Sequence, residues 1–287
     1  MTQNVSKLAE MGLEPGAVAL VTGGGGGIGL AAACEFAALG MTVALLDRDD
    51  TLLDAAAARV KDAGAPEVVT YSADVADAEA LRKVEADLAG RFGGVDAVLN
   101  NAGIGVGSAA VGPAEPWQRT LGVNLWGVIN GTQVFAPRMI ARKRPGIIIN
   151  TGSKQGITTP PGNPAYNVAK AGVKAFTEAL AHELRNTDGC RITAHLMIPG
   201  FVFTGMTRGD RTEKPDAAWT PEQTAAFMFD SLAGGDFYIL CPDNDVPRAL
   251  DEKRMAWAAG DIIENRPALS RWHPDYADAF ADFVKDA

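Results

Sequence analysis

Residues Val21–Gly29 read VTGGGGGIG, and the reading of this stretch decides the fold. Inside a regular element each glycine costs about 0.5–1 kcal/mol relative to alanine, so five in a row need a reason. A flexible linker is one. The flanks argue against it. Residues 17–21 (AVALV) form a short apolar run that enters the glycines. Ile28–Leu39 (IGLAAACEFAAL) leaves them with helical spacing and strong helix formers. At a strand-to-helix junction, backbone without side chains lets a pyrophosphate come close. The helix N-terminus then offers it unpaired N–H groups and a positive dipole end. About 20 residues further on, the next apolar run, MTVALL, ends at Asp47. A carboxylate there can accept hydrogen bonds from both hydroxyls of an adenosine ribose. The stretch is read as a dinucleotide-binding turn.

The rest of the chain repeats the same unit. Residues 55–61 read as helix, VVTYSADV (68–75) as strand, 77–92 as helix and VDAVLN as strand. A long helix is expected over 115–141, then GIIINTG as a buried strand, a helix over 164–186 and RITAHLMIPG as strand. Short unbroken apolar strands alternating with helices indicate an α/β protein with a doubly wound parallel sheet, covered on both faces. One domain is expected over residues 1–241, with a C-terminal extension over 242–287. Residues 205–222 are polar and carry two prolines. They are either a surface loop or a lid over a substrate, and loops of this length favour the lid. A helix (221–233) and a strand (DFYILC) follow.

Bulk properties bound the function. The 287 residues are 47% hydrophobic with a formal charge of −9, enough for a large core without staples. That balance, with no basic stripe, argues against nucleic acid as partner. Cys34, Cys190 and Cys241 are odd in number and lack C-x-x-C spacing, as expected of reduced thiols in a cytoplasmic protein. The N-terminus has no apolar signal core, and no apolar run approaches the ~18 residues of a membrane span. His182, His195 and His273 have no metal-ligand spacing, so no metal is expected, and His195 is read as a structural residue in a buried strand.

Five motifs resemble those of short-chain dehydrogenases/reductases. They are TGGGGGIG (22–29), NNAG (100–103), Ser153 thirteen residues before Tyr166, YNVAK (166–170) and IPGFVFT (198–204). The resemblance covers roughly residues 15–206 and implies a Rossmann fold. It implies Asn124, Ser153, Tyr166 and Lys170 as catalytic residues. For the cofactor it implies Gly23, Gly25, Gly26, Gly27 and Ile28, then Asp47 and Arg48, then Asp74 and Val75 beside an adenine. It adds Asn101, Ala102 and Gly103, Tyr166 and Lys170, and Pro199, Gly200, Val202 and Thr204. Asp74-Val75 could also be a helix cap.

The chemistry of these residue types agrees with the roles. Tyr166 and Lys170 stand four apart on a helix and share a face. A phenol near pKa 10 is a poor base at neutrality. An adjacent ammonium and a positive nicotinamide ring favour its phenolate. Tyr166 is then the proton carrier, Ser153 the holder of the substrate oxygen, and Lys170 also a ligand of the nicotinamide ribose. By resemblance, Asn124 holds a water linking Lys170 to solvent. Asp47 would repel the extra phosphate of NADP and favours NAD, whereas Arg48 could pair with it; NAD is expected, with NADP as the alternative.

Expected substrate-site residues are Ser153, Gln155, Tyr166, Phe201 and Met206. Ile104, Gly105 and Phe203 are further walls, and Asn163 is a second polar anchor. With no cationic cluster beyond a query over Lys154, the expected substrate is a fairly bulky uncharged secondary alcohol or ketone. The alternatives are a dehydratase or epimerase using the same Tyr/Lys pair, and a non-catalytic cofactor-binding protein. The ending departs from the family, because about 45 residues follow DFYILC. Its aromatics (Trp257, Trp272, Tyr276, Phe280) need burial on their own subunit, at the substrate mouth or against a second subunit. A homodimer is expected, with a homotetramer second.

Overall fold

The structure, a computed structural model, describes residues 2–286. Seven strands form one parallel sheet. They are β1 (Val18–Thr22), β2 (Thr42–Asp47), β3 (Val68–Ser72), β4 (Ala97–Asn100), β5 (Gly146–Thr151), β6 (Ile192–Ile198) and β7 (Tyr238–Leu240). Their order is β3-β2-β1-β4-β5-β6-β7, every neighbouring pair parallel. The expected doubly wound Rossmann sheet is present as a single domain.

Period-2 alternation splits each strand between two cores. Ala19, Val21, Leu45, Ile147 and Ile149 face one side, with α1 (Thr2–Glu10), α2 (Gly27–Ala38), α3 (Asp50–Asp62) and the later helix Pro221–Gly234. Val18, Leu20, Leu46, Val98 and Ile148 face the other. There the cover is α4 (Ala78–Phe92) and, further along the chain, the helices that carry Phe135 and Leu184. Both faces are dry, which is why the strands read as unbroken apolar runs. On the first face the Phe36 and Phe229 rings meet edge-on at 4.9 Å between centroids.

The order in which strands are added to the sheet reverses between β1 and β4, so a crevice opens at their carboxyl ends. Five features differ from expectation. The helix over 115–141 is α5 (Ala114–Leu121) and α6 (Gly127–Ala141), joined by a π turn at Gly122–Trp126. β3 stops at Ser72, and β7 is only three residues long. A short helix α7 (Gln155–Thr158) precedes α8 (Pro164–Arg185). Residues 205–222 begin with a further short helix, α9 (Gly205–Arg208), and end where α10 (Pro221–Gly234) starts.

The extension is ordered. It forms α11 (Arg248–Ile263) and α12 (Ala277–Val284) with two 3-10 turns between them. Of the three destinations open to its aromatics, Trp257 takes the first. It is buried within its own subunit and donates to Ser270 Oγ at 2.7 Å. The Phe280 and Phe283 rings lie 5.3 and 5.2 Å from it, and the Arg266 guanidinium stacks at 4.1 Å. α11 packs on α7, next to Ser153. Among the described residues no helix is long and apolar enough to cross a membrane.

Candidate active site

Four of the five glycines in the run have a reason within the protein. A Cβ on Gly23 would come within 2.9 Å of the Ala102 Cα, and one on Gly24 within 3.0 Å of the Leu45 side chain. Gly25 lies against Asp47 and donates its N–H to Asp47 Oδ2 at 3.0 Å. Gly26 is different: a Cβ there would meet nothing within 4 Å. Gly27 sits at φ +54°, where other residues are strained. Gly26 caps α2 without a side-chain bond, and the first turn carries no acid. The first N–H groups of α2 and its positive end therefore face the crevice without an internal anion. This cradle fits a diphosphate.

The crevice is a cavity of about 410 Å³. Gly23, Gly26, Gly27 and Ile28 line its floor. Asp47, Arg48, Asp74 and Val75 line one end. Asp47 Oδ1 accepts from the Asp49 N–H at 3.1 Å, while Arg48 is exposed. Asp77, not Asp74, caps α4 by accepting from Glu79 and Ala80, so the cap reading of Asp74 fails. The NNAG turn is tied to β1: Thr22 Oγ1 accepts from the N–H groups of Asn101 (2.9 Å) and Ala102 (3.1 Å). Asn101, Ala102 and Gly103 line the middle of the crevice. Pro199, Gly200, Val202, Thr204 and Met206 line it as well.

Ser153, Tyr166 and Lys170 meet at the other end. Ser153 follows β5. Tyr166 and Lys170 stand one turn apart on α8, whose start is built tightly. Asn163 Oδ1 accepts from the Tyr166 N–H at 3.4 Å, and Pro164 fills the first turn. Ser108 Oγ donates to Asn163 Oδ1 at 2.7 Å and accepts from the Ala165 N–H at 3.0 Å. Gly156 lets α7 approach α8, because a Cβ there would sit 2.5 Å from the Lys170 carbonyl carbon. Lys170 is buried, its Nζ donating to the Thr151 carbonyl at 2.7 Å and lying 5.8 Å from the centre of the Tyr166 ring.

Burial sets the acidities. It raises the Tyr166 phenol, a rise opposed by a hydrogen bond with Ser153. It lowers the Lys170 ammonium to about 8. With one acceptor among the described residues for its three N–H groups, Lys170 has donors left over for a ligand in the crevice.

Not every expected residue reaches the crevice. Asn124 is buried in the π turn, where its side chain clamps the Ile104 backbone, accepting from N–H at 2.8 Å and donating to C=O at 2.9 Å. It sits behind the loop rather than in the cavity lining. Gln155 is exposed on α7 and outside the lining. Phe201 also lies outside it, its backbone held by Trp219 and Asp243. Asn163 is spent on capping α8, and Lys154 is paired with Asp243 and Asp251. Leu52, Val123 and Thr207 do line the crevice. No local pattern marks them, and only the fold brings them there. His195 is buried between the Asp236 carbonyl and Thr193 Oγ1, as a structural residue would be.

A family model described as short chain dehydrogenase matches residues 17–215. The chain is 30% identical over 263 residues to 1-deoxy-11-beta-hydroxypentalenate dehydrogenase of Streptomyces exfoliatus, covering 88% of this chain and 93% of that one. It is 38% identical over 195 residues to the 3-oxoacyl-acyl-carrier-protein reductase FabG of Thermotoga maritima, covering 67% and 76%. Among solved structures, a short-chain dehydrogenase/reductase of Burkholderia phymatum in complex with NAD superposes with a TM-score of 0.78 at 30% identity, covering 88% of this chain and 96% of that one.

Proposed function

This chain belongs to the short-chain dehydrogenase/reductase family, and from that premise we propose that it is an NAD-dependent oxidoreductase acting on a fairly bulky, uncharged secondary alcohol or ketone. One observation carries the reading: Ser153, Tyr166 and Lys170 share the end of a crevice whose floor is an anion cradle. When bound, the nicotinamide cofactor supplies the carbon that accepts or gives the hydride. Gly26, Gly27 and Ile28 would hold its diphosphate, Asp47 its adenosine ribose, and the spare Lys170 donors its second ribose.

Ser153 holds the substrate oxygen by its hydroxyl. Tyr166 takes the proton from that oxygen in oxidation and returns it in reduction. Lys170 places positive charge beside the phenol and lowers the cost of the phenolate in a site where burial raises it. The walls beside Ser153, including Ile104, Val202 and Met206, are apolar, which suits an uncharged substrate. Lys154, which directly follows Ser153, is paired with two carboxylates rather than turned toward a substrate. Arg48 keeps NADP as a second reading, since it lines the crevice and forms no ion pair among the described residues.

The test is a panel of secondary alcohols with NAD or NADP, and of ketones with the reduced forms, followed by nicotinamide absorbance. Turnover of neutral substrates, faster with NAD, is expected. Tight cofactor binding with no turnover across the panel would overturn the reading.

A further inference from the structure

A buried charge cluster ties the C-terminal extension to the active-site wall. Lys154 directly follows Ser153. Its ammonium lies 3.2 Å from Asp243 Oδ2 and 2.5 Å from Asp251 Oδ2. Asp243 and Asp251 are both buried and both belong to the extension. Asp243 Oδ2 also accepts from the Phe201 N–H at 3.2 Å, and the Lys154 N–H donates to the Pro199 carbonyl at 3.2 Å. Gly200 runs between them. A Cβ on it would overlap the Asp243 carboxylate and sit 2.9 Å from Lys154 Nζ.

The next residue, Asn244, grips the far end of the loop. Its N–H donates to the Ala217 carbonyl at 3.1 Å, and its side-chain amide to the Asp216 and Ala218 carbonyls. Phe201 and Phe203 pair with Trp219 across the loop base. The turn at Asp243–Asn244 therefore holds both edges of residues 203–218, the segment that carries Thr204 and Met206 into the crevice.

A buried ion cluster, here with Arg254 and Arg271 beside Asp251, is weak evidence of stabilisation, because desolvating the charges offsets most of their attraction. A hydrophobic contact would join the extension to the domain at lower cost. The cluster is better explained by what it orients. We infer that Lys154, Asp243, Asp251 and Asn244 are positioning residues: they fix the Pro199–Met206 wall and the Ser153 turn for the reaction, so that the extension is a working part of the active site. This inference rests on the proposed dehydrogenase reading.

The test uses the full chain with Lys154→Gln and Asp251→Asn, neither of which touches the proposed reacting atoms. Two readouts are taken. Hydrogen exchange of the cofactor-free protein is expected to quicken at least threefold across 199–207, with the glycine turn at 22–29 unchanged. In turnover, kcat per cofactor-loaded site is expected to fall at least tenfold, and Lys154→Arg to recover part of the loss. A purely structural cluster would lower the melting temperature and leave both readouts within twofold of wild type, and that result would overturn the inference. If the wild-type chain turns over no alcohol or ketone, the function reading fails while the exchange readout still decides the clamp. Should Lys154→Gln not fold, Asn244→Ala removes only the loop-base bonds and carries the same two readings.

Discussion

The backbone N–H of Gly25 donates to Oδ2 of Asp47 over 3.0 Å. One carboxylate thus shapes the glycine turn and lines the crevice, where we propose it holds the adenosine ribose. Asp47→Ala removes both functions. Hydrogen bonds to a charged group contribute about 1.5–3 kcal/mol, so NAD affinity should fall by roughly ten- to a hundredfold. NADP affinity should fall less, because relief of charge repulsion at its phosphate offsets the loosened turn. Titration of both cofactors by calorimetry checks this; unchanged NAD affinity would remove Asp47 from the ribose.

Gly26 separates a cradle from a merely tight turn. Its φ of −172° suits any residue, and a Cβ meets nothing in the protein. Gly26→Ala should therefore leave stability within about 0.5 kcal/mol. The added methyl would instead occupy the face offered to the diphosphate, so NADH affinity should fall at least tenfold. Thermal unfolding and fluorescence titration of the variant measure the two effects. A full-affinity variant would mean that the diphosphate lies elsewhere.

Lys170 is the clearest case of stability given up for a site. Its folded-state pKa of about 8 lies below the ~10.4 of an unfolded chain. Between those values the unfolded state binds more protons, so this group's contribution to stability rises with pH. Below pH 8 the full penalty applies, on the order of 3 kcal/mol at most. Lys170→Met should accordingly gain on wild type most at pH 7, and the gap should narrow by pH 10 as the wild type sheds the proton. Urea unfolding of the pair at both pH values tests the sign. Taking the difference between the chains cancels Cys241, whose thiol burial pushes up to about 12. A gap that widened with pH would contradict the buried ammonium.

The glycine run, YNVAK and the alternation of apolar strands with helices were legible because each is local. Spacing alone puts Tyr166 and Lys170 on one face, and an unbroken apolar strand signals cover on both sides. The π turn was not legible, because it answers to a tertiary demand: Asn124 must reach both backbone groups of Ile104. Gln155 and Phe201 lie outside the crevice lining for a similar reason. The Phe201 backbone is held by Asp243, 42 residues away, and Gln155 is exposed on a short helix that packs on α8. The ordering of the extension around Trp257 and Ser270 likewise rests on pairings that no short window contains.

Proton transfer by Tyr166 is the central claim, and deuterium transfer tests it most directly. An alcohol that the wild-type chain oxidises would be labelled with deuterium on its carbinol carbon and offered with NAD to wild type and to Tyr166→Phe. The account predicts one deuterium on the reduced cofactor per ketone formed by wild type. In the variant it predicts transfer at least about a hundredfold slower, with NAD affinity changed less than about threefold, since the glycine cradle, Asp47 and Lys170 are left in place. Transfer by the variant at close to the wild-type rate would contradict it.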